Sequence, residues 1–415
     1  MAEHYDILIV GGGMVGASLA CALAPLSLKT GIVERFEARD VKQASFDDRS
    51  IALAYGSRKI FQSMGLWSAL SEVVTPINKI HISDRGHFGA TRLDSHSMDV
   101  DALGYVIESR DLGKVLQQQL KQQSQLDRIS PAEVQSIEIV PGQANVSVIQ
   151  GGEQRQLSAT LVIAADGSDS LIRQQLDIES TLWEYGQTAL IANVGTSVDH
   201  QNIAYERFTD SGPLAMLPMQ AARIDGEEIS RSSLVWTLRD DQVETHMNLS
   251  DEQFLKKLQQ RFGHRLGEML HAGKRQTYPL RLLKAANHVH ERVALIGNAA
   301  HTLHPVAGQG FNLGIRDVAV LADVISSALD NGQDIGDIQV LNQYVQWRQR
   351  DHKRVIAFTD SMVRIFSNPL WPVQKVRGLA LTLLDVVPPL KKQLARQTMG
   401  LAGRLPRLAR GLGIK

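Results

Sequence analysis

Gly11, Gly13 and Gly16 stand in a G-x-G-x-x-G spacing between a β-rich run at residues 5–10 and a small-residue helical run at 17–26. In a strand–turn–helix setting the first glycine permits the tight turn and the second lets backbone N–H groups approach a pyrophosphate. The third lets the helix pack close to the strand. Gly12, Met14 and Val15 fill the remaining positions, the last two at a helix N-terminus whose partial positive charge favours phosphates. Glu34 ends the next strand-like run, residues 30–33, where it can accept hydrogen bonds from an adenosine ribose. An acidic residue there repels a ribose 2′-phosphate, so the site suits FAD or NAD rather than NADP. Glycines also mark ordinary turns; the flanking strand and helix point to a dinucleotide.

Two later strands end in comparable motifs. Residues 161–165 run into Asp166-Gly167, and residues 292–296 into Gly297 and a loop that reaches Phe311. A helix follows, with Leu321, Val324, Ile325 and Leu329 on one face, and is expected to stop near Asn331-Gly332. An NAD dehydrogenase completes its site within about 150–200 residues. Contributions this far apart suit the longer FAD. Between the second and third motifs the texture changes. Segments 190–194 and 233–237 alternate as antiparallel strands do, which predicts an inserted second domain.

Bulk properties narrow the class. Of the 415 residues, 43% are hydrophobic, enough for one large or two medium cores. Lys+Arg and Asp+Glu both total 44, a balance that gives no footing for nucleic acid. The lone cysteine, Cys21, excludes an internal disulfide framework and a cysteine metal cluster. No stretch reaches the roughly 20 apolar residues of a membrane span. The expectation is a cytoplasmic chain.

The segment 371–415 departs from the neutral average, with nine basic residues and one acidic, Asp385. Leu390, Leu394, Leu401, Leu405 and Leu408 would share one helical face, interrupted at Pro406. Two readings stand side by side: a basic helix packed on its own domain, or a docking surface for an anionic membrane or a partner protein.

Residues 165–173, Ala-Asp-Gly-Ser-Asp-Ser-Leu-Ile-Arg, resemble the A-D-G-x-x-S-x-x-R motif of the class A flavin monooxygenases, the para-hydroxybenzoate hydroxylase-like group. Gly297-Asn298-Ala299-Ala300-His301 resembles their G-D-A-A-H motif, with Asn298 where aspartate is usual. Together with the glycine motif, the three occur in the family's order and spacing. A narrower likeness, to the ubiquinone-biosynthesis hydroxylases and within them to the 2-polyprenyl-6-methoxyphenol hydroxylases, rests on residues 301–317. Segments 48–53 and 81–86, Glu206-Arg207-Phe208 and residues 212–219 carry it further.

The resemblance implies an α/β chain: a Rossmann-like FAD-binding domain, an inserted, mainly antiparallel β-sheet substrate domain and a helical C-terminal tail. The expected boundaries are 1–75, 101–179 and 285–335 for the first, 76–100 and 180–284 for the second, and 336–415 for the third. It implies FAD as cofactor, NAD(P)H as co-substrate, and oxygen insertion into a prenylated phenol, para to the hydroxyl, through a flavin C4a-hydroperoxide. Other quinone-pathway proteins or a membrane surface are the implied partners of the tail.

Carried over by position, Gly11, Gly13, Met14, Val15 and Gly16 would hold the pyrophosphate, and Glu34 the ribose. Arg49, Arg110, Asp166, Gly297 and Asn298 would line the FAD cleft. Gly308, Gln309, Gly310, Phe311 and Asn312 would face the flavin edge, where negative charge gathers on reduction. Pro305 and Gly308 would act through their backbone at the reacting end, and Leu217 and Pro218 would touch substrate. Met216 and Met219 could line the same pocket or belong to the core. His301 and His304 form H-x-x-H, but two histidines fall short of the roughly three protein ligands of a catalytic zinc site, so no metal is expected. A flavin oxidase, a hydroxylase of other regiochemistry and a non-enzymatic flavin scaffold remain open on the residues alone.

Overall fold

A computed structural model describes residues 3–37, 49–86, 89–224, 226–303, 308–366, 378 and 381–414. The first strand, Glu3–Val10, pairs in parallel with Thr30–Val33 on one side and Glu153–Ala164 on the other. Leu126–Ile129 and Val293–Leu295 extend this sheet in parallel, and Val289–His290 closes the second edge. Ile7-Leu8-Ile9-Val10 is uninterrupted by polar residues because both faces are covered. Ile7 and Ile9 meet helix α1 (Met14–Leu23) and, beyond it, α2 (Gln309–Asp330). Leu8 and Val10 meet Val146 and Val148 of the hairpin formed by Ala132–Val140 and Gln143–Gln150.

Among the described residues, the second sheet has nine strands and is antiparallel except where Ile203–Thr209 meets Lys79–Asp84. Ser180–Thr196 pairs with Glu227–Arg239, and that strand with Gly212–Ile224. The alternation at 190–194 and 233–237 becomes the register Leu190 to Trp236 and Ile191 to Val235. Leu190, Leu214, Leu234 and Trp236 turn to one face, packed on Phe254, Leu258 and Phe262 of a helix at Asp251–Phe262. Ile191, Ala215, Leu217 and Val235 turn to the other, which faces a cavity.

A small third sheet sets Ser50–Ala54 beside Gly104–Glu108, with Thr75–Ile77 on its far edge. The 29-residue helix α3 (Ile338–Phe366) lies against α2. Helix α2 ends at Asn331-Gly332 as the sequence predicts, with Leu321, Val324 and Ile325 buried. Leu329, expected on the same face, is 37% exposed although its neighbour Ala328 is buried.

The predicted leucine face of the tail is cut short. Helix α4 (Pro388–Thr398) carries Leu390 and Leu394, but the chain turns at Gly400, before Leu401 and Leu405, and Leu408 lies in a separate 3-10 turn. That last part docks back on the dinucleotide half. Leu408, Ala409 and Ile414 join its core, Arg407 N donates to Asp323 Oδ2 at 2.8 Å, and the Arg404 guanidinium lies 3.7 Å over the Trp347 ring.

Candidate active site and cofactor cleft

Gly11 has φ +103°, and a methyl group added to it would collide with the Ala165 carbonyl. A methyl group on Gly16 would collide with the Gly11 carbonyl. These contacts bring the glycine loop, the Asp166 loop and the start of α1 together, and only hydrogen fits at the junction. Glu34 fixes the loop from the next strand: its carboxylate accepts from Gly12 N at 2.7 Å and Phe36 N at 3.0 Å. Lone pairs remain on both oxygens for ribose hydroxyls.

Arg173 joins the second motif to the third. Its buried guanidinium donates to Ser168 O at 2.7 Å and Ala299 O at 2.9 Å, while Ser170 Oγ caps the short helix by accepting from Arg173 N at 3.1 Å. Asp166 Oδ2 accepts from Ile172 N at 3.3 Å, but Oδ1 is buried with no donor, and burial raises the carboxyl pKa. A buried acceptor without a partner is costly, and a hydroxyl of a polyol chain or ribose would satisfy it. The collapsed glycine loop, the pinned Glu34 and this orphaned oxygen form a donor and acceptor set that fits FAD. Asn298 is exposed on the 3-10 turn Gly297–Ala299 and borders the same cleft.

The cleft opens into one cavity of about 680 Å³ between the two large sheets. Gly13, Met14 and Val15 border one end; the strand at Ser50–Ala54 and residues 308–312 form the side. Ile82, Ala215, Leu217 and Val235 border the far end, and Phe358, Met362, Leu381 and Leu394 close it from the C-terminal region. Gly308, at φ +59°, leads into α2 and, as a glycine, brings no side chain to cap it, so the N-cap position leaves the N-terminal end of a 22-residue helix open toward the cavity. Oriented N–H donors and the helix dipole at such an end stabilise a nearby anion. Gly310 has no neighbour where a side chain would stand, whereas Gln309 donates to Thr398 O at 3.3 Å and Phe311 stacks on Phe61.

The expected site residues are thus distributed unevenly. Arg49 lines the cavity, its guanidinium 4.5 Å over the Tyr278 ring. Arg110 is half exposed, pairs with Glu108 at 2.8 Å and does not border the cavity, because the start of its helix turns outward. Leu217 borders the cavity, but Pro218 does not: strand alternation turns it to the opposite face. Met216 packs in the helix-side core, and Met219 joins Ile77 and Val106. Pro305 and His304 lie outside the described residues.

Asn312 lines the cavity but spends its side chain elsewhere. Oδ1 accepts from Ala54 N at 2.7 Å and Ser57 Oγ at 2.8 Å; Nδ2 donates to Ala52 O and Gly308 O, both at 2.7 Å. All four hydrogen-bonding positions are filled, so the amide clamps Ser50–Ala54 to the start of α2.

His301 belongs to a buried network that sequence spacing did not reveal. Asp317 Oδ2 accepts from His301 Nε2 at 2.8 Å; Oδ1 accepts from His352 Nε2 and Arg348 Nε, each at 2.7 Å. Gly297 N approaches Asp317 Oδ2 at 3.4 Å, tying the third motif to α2 and α3. Burial penalises the Asp317 carboxylate, but the electrostatic influence of His352, Arg348 and His301, with the His301 hydrogen bond, outweighs it and holds the carboxyl well below the usual range. The imidazoles touch the carboxylate directly and Arg348 shares it, which leaves no opening for a metal ion despite a suitable-looking ligand set.

A family model described as an FAD binding domain matches residues 4–359. The ubiquinone hydroxylase UbiL of Rhodospirillum rubrum is 36% identical over 413 residues, covering 98% of this chain and 93% of that protein. The uncharacterized protein slr1300 of Synechocystis is 35% identical over 409 residues, covering 99% and 96%. The mitochondrial ubiquinone biosynthesis monooxygenase COQ6 of Danio rerio is 28% identical over 443 residues, covering 94% and 89%. Among solved structures, p-nitrophenol 4-monooxygenase PnpA of Pseudomonas putida superimposes with a TM-score of 0.79 at 16% identity, over 97% of this chain and all of that one, and so shares the fold. With the cleft fitting FAD and the match spanning most of its length, this chain belongs to the FAD-binding domain family of flavin monooxygenases, beside the ubiquinone hydroxylases it resembles.

Proposed function

We propose that the chain hydroxylates a prenylated phenol of ubiquinone biosynthesis, 2-polyprenyl-6-methoxyphenol, para to its hydroxyl group. The observation that carries this reading is the cavity. It begins at the dinucleotide loop and continues, walled mostly by apolar side chains, to the C-terminal helices. A ring with a long hydrocarbon substituent matches that shape better than a small polar substrate does. The ubiquinone hydroxylases among the relatives point to the same substrate class.

Bound FAD supplies the chemistry by which NAD(P)H and O₂ place one oxygen atom on an aromatic ring. Gly11, Gly13, Gly16, Glu34, Asp166 and Asn298 would hold it, and the N–H groups at the start of α2 would offset negative charge at the ring edge. The walls at Ile82, Val235 and Leu217 keep water from the reacting atoms.

The same reading explains the tail. No helix among the described residues is long and apolar enough to cross a membrane, yet the substrate is a lipid. Leu381, Leu384 and Leu394 border the cavity, and beside them Leu383, Val386 and Leu390 are 53%, 71% and 40% exposed, next to Lys391 and Lys392. Apolar residues flanked by lysines suit the interface of an anionic bilayer. Sedimentation with phosphatidylglycerol vesicles should lose the Leu383→Ser/Val386→Ser/Leu390→Ser variant; equal sedimentation of both proteins removes membrane docking.

The deciding assay is NAD(P)H oxidation by FAD-loaded protein with a short-chain 2-prenyl-6-methoxyphenol, followed by product analysis. Stimulated oxidation with a para-hydroxylated product is expected. Bound flavin without stimulation refutes the reading in favour of an oxidase or a flavin scaffold.

A further inference from the structure

Glu206 stands where no structural need places a carboxyl group. On the strand Ile203–Thr209, Ala204, Glu206 and Phe208 border the cavity, and the residues registered with Glu206 are Ile82 and Ala215, both bordering it as well. It is the only carboxylate among the described residues that line the cavity. No described residue forms a hydrogen bond or ion pair with it, and burial is the sole influence on its ionisation.

The charged neighbours face away. Arg207 alternates to the other side, where it donates to Phe262 O, and His81 on the adjacent strand bonds Arg265 at 2.9 Å on that side. Arg49 and Tyr205 are the other titratable residues of the cavity wall; Tyr205 packs its ring edge-on against Phe262. Glu206 is therefore walled by apolar groups and open only to the space a substrate ring would occupy.

We propose that Glu206 is the general base that removes the phenol proton. As the O–H bond breaks, the proton passes to the carboxylate and the electron pair stays on the phenol oxygen, which then drives electron density into the para position. Product release returns the proton to solvent. This role rests on the phenol-hydroxylase reading above.

Burial pushes the Glu206 carboxyl up to about 7. An ordinary glutamate, near 4.3, lies about 6 pH units below a phenol near 10, and the burial narrows that gap to about 3. The group remains ionised just above neutrality, where proton transfer to it is least uphill.

The test compares FAD-loaded wild type with Glu206→Gln and Glu206→Asp across pH 5–9. Wild-type kcat should fall on the acid side with a midpoint near 7. Glu206→Gln should bind FAD normally, lose about 10²–10⁴-fold in kcat and show no acid limb. Glu206→Asp should retain part of the rate with a displaced limb. In FAD-free protein, an infrared carboxyl band titrating near 7 should vanish in Glu206→Gln. Undiminished kcat with an unmoved limb in either variant overturns the assignment while leaving the hydroxylase reading intact. A wild type that binds flavin but hydroxylates no phenol overturns that reading, and the base with it.

Discussion

Asp317→Asn tests the buried network, because its size is kept while its charge is removed. In the native chain Oδ1 receives Arg348 and His352, and Oδ2 receives His301 and the more distant Gly297 N–H. An amide has only one acceptor oxygen. If its NH₂ takes the Oδ1 position, it faces the Arg348 Nε–H, which cannot become an acceptor. If it takes the Oδ2 position, His301 can change tautomer, since His301 Nδ1 has no partner, but the Gly297 N–H cannot. Breaking a buried ion pair from one side costs about 3–5 kcal/mol. Arg348 keeps Asp351 as a second partner, so the lower end, about 3 kcal/mol, is expected. Urea unfolding of FAD-free protein measures it. Because Gly297 leans on the same carboxylate, FAD affinity, read by fluorescence quenching, should weaken as well. A stability loss under about 1 kcal/mol would refute the view that Asp317 holds the third motif against both helices.

Gly11→Ala should yield protein with little or no FAD, read from flavin absorbance per chain, since the added methyl group displaces the Ala165–Asp166 backbone; full flavin content would contradict this. Asn312→Ala orphans the Ala54 N–H and two carbonyls, each costing about 1–3 kcal/mol where unhydrated, so both thermal stability and flavin retention should drop. Burial lowers the His288 and His352 pKa values to about 4 and about 3. The unfolded chain takes up those protons first, so stability should be full above about pH 6.5 and be lost as pH falls toward 4. A flat denaturation midpoint between pH 7 and 4.5 would argue against buried neutral imidazoles.

What the sequence disclosed is mostly what the backbone demands locally. Gly11, Gly16 and Glu34 were legible because a tight turn, a helix-to-strand contact and a strand-end acid each leave one residue type at one spacing. The two-residue alternation around Leu190 and Ser233 likewise shows in the chain itself. Asn312 was legible as a position but not in its role, since three of its four partners lie in residues 52–57, about 255 residues earlier in the chain. Arg110 and Pro218 failed for a related reason: motif position does not tell which way a helix start or a strand residue turns. The His301–Asp317–His352 network and the cavity wall at Phe358 and Met362 depend on helices packed far from those motifs in sequence. Glu206 carried a signal, an acid amid apolar alternation, whose meaning appeared only with the cavity.

The wall formed by Leu381, Leu384 and Leu394 has a consequence for how the protein comes into being. Both large sheets are built from residues before 303, so a ribosome has emitted every strand of the scaffold while the cavity still lacks one side. Closure waits for residues 381–394, and the clasp that secures them, Arg407 to Asp323 with Leu408 and Ile414 in the core, comes later still in the chain. The nascent molecule therefore passes through a stage with an assembled nucleotide cleft and an unroofed apolar trough. That apolar trough is sheltered by a segment that leaves the ribosome only after both sheets have done so.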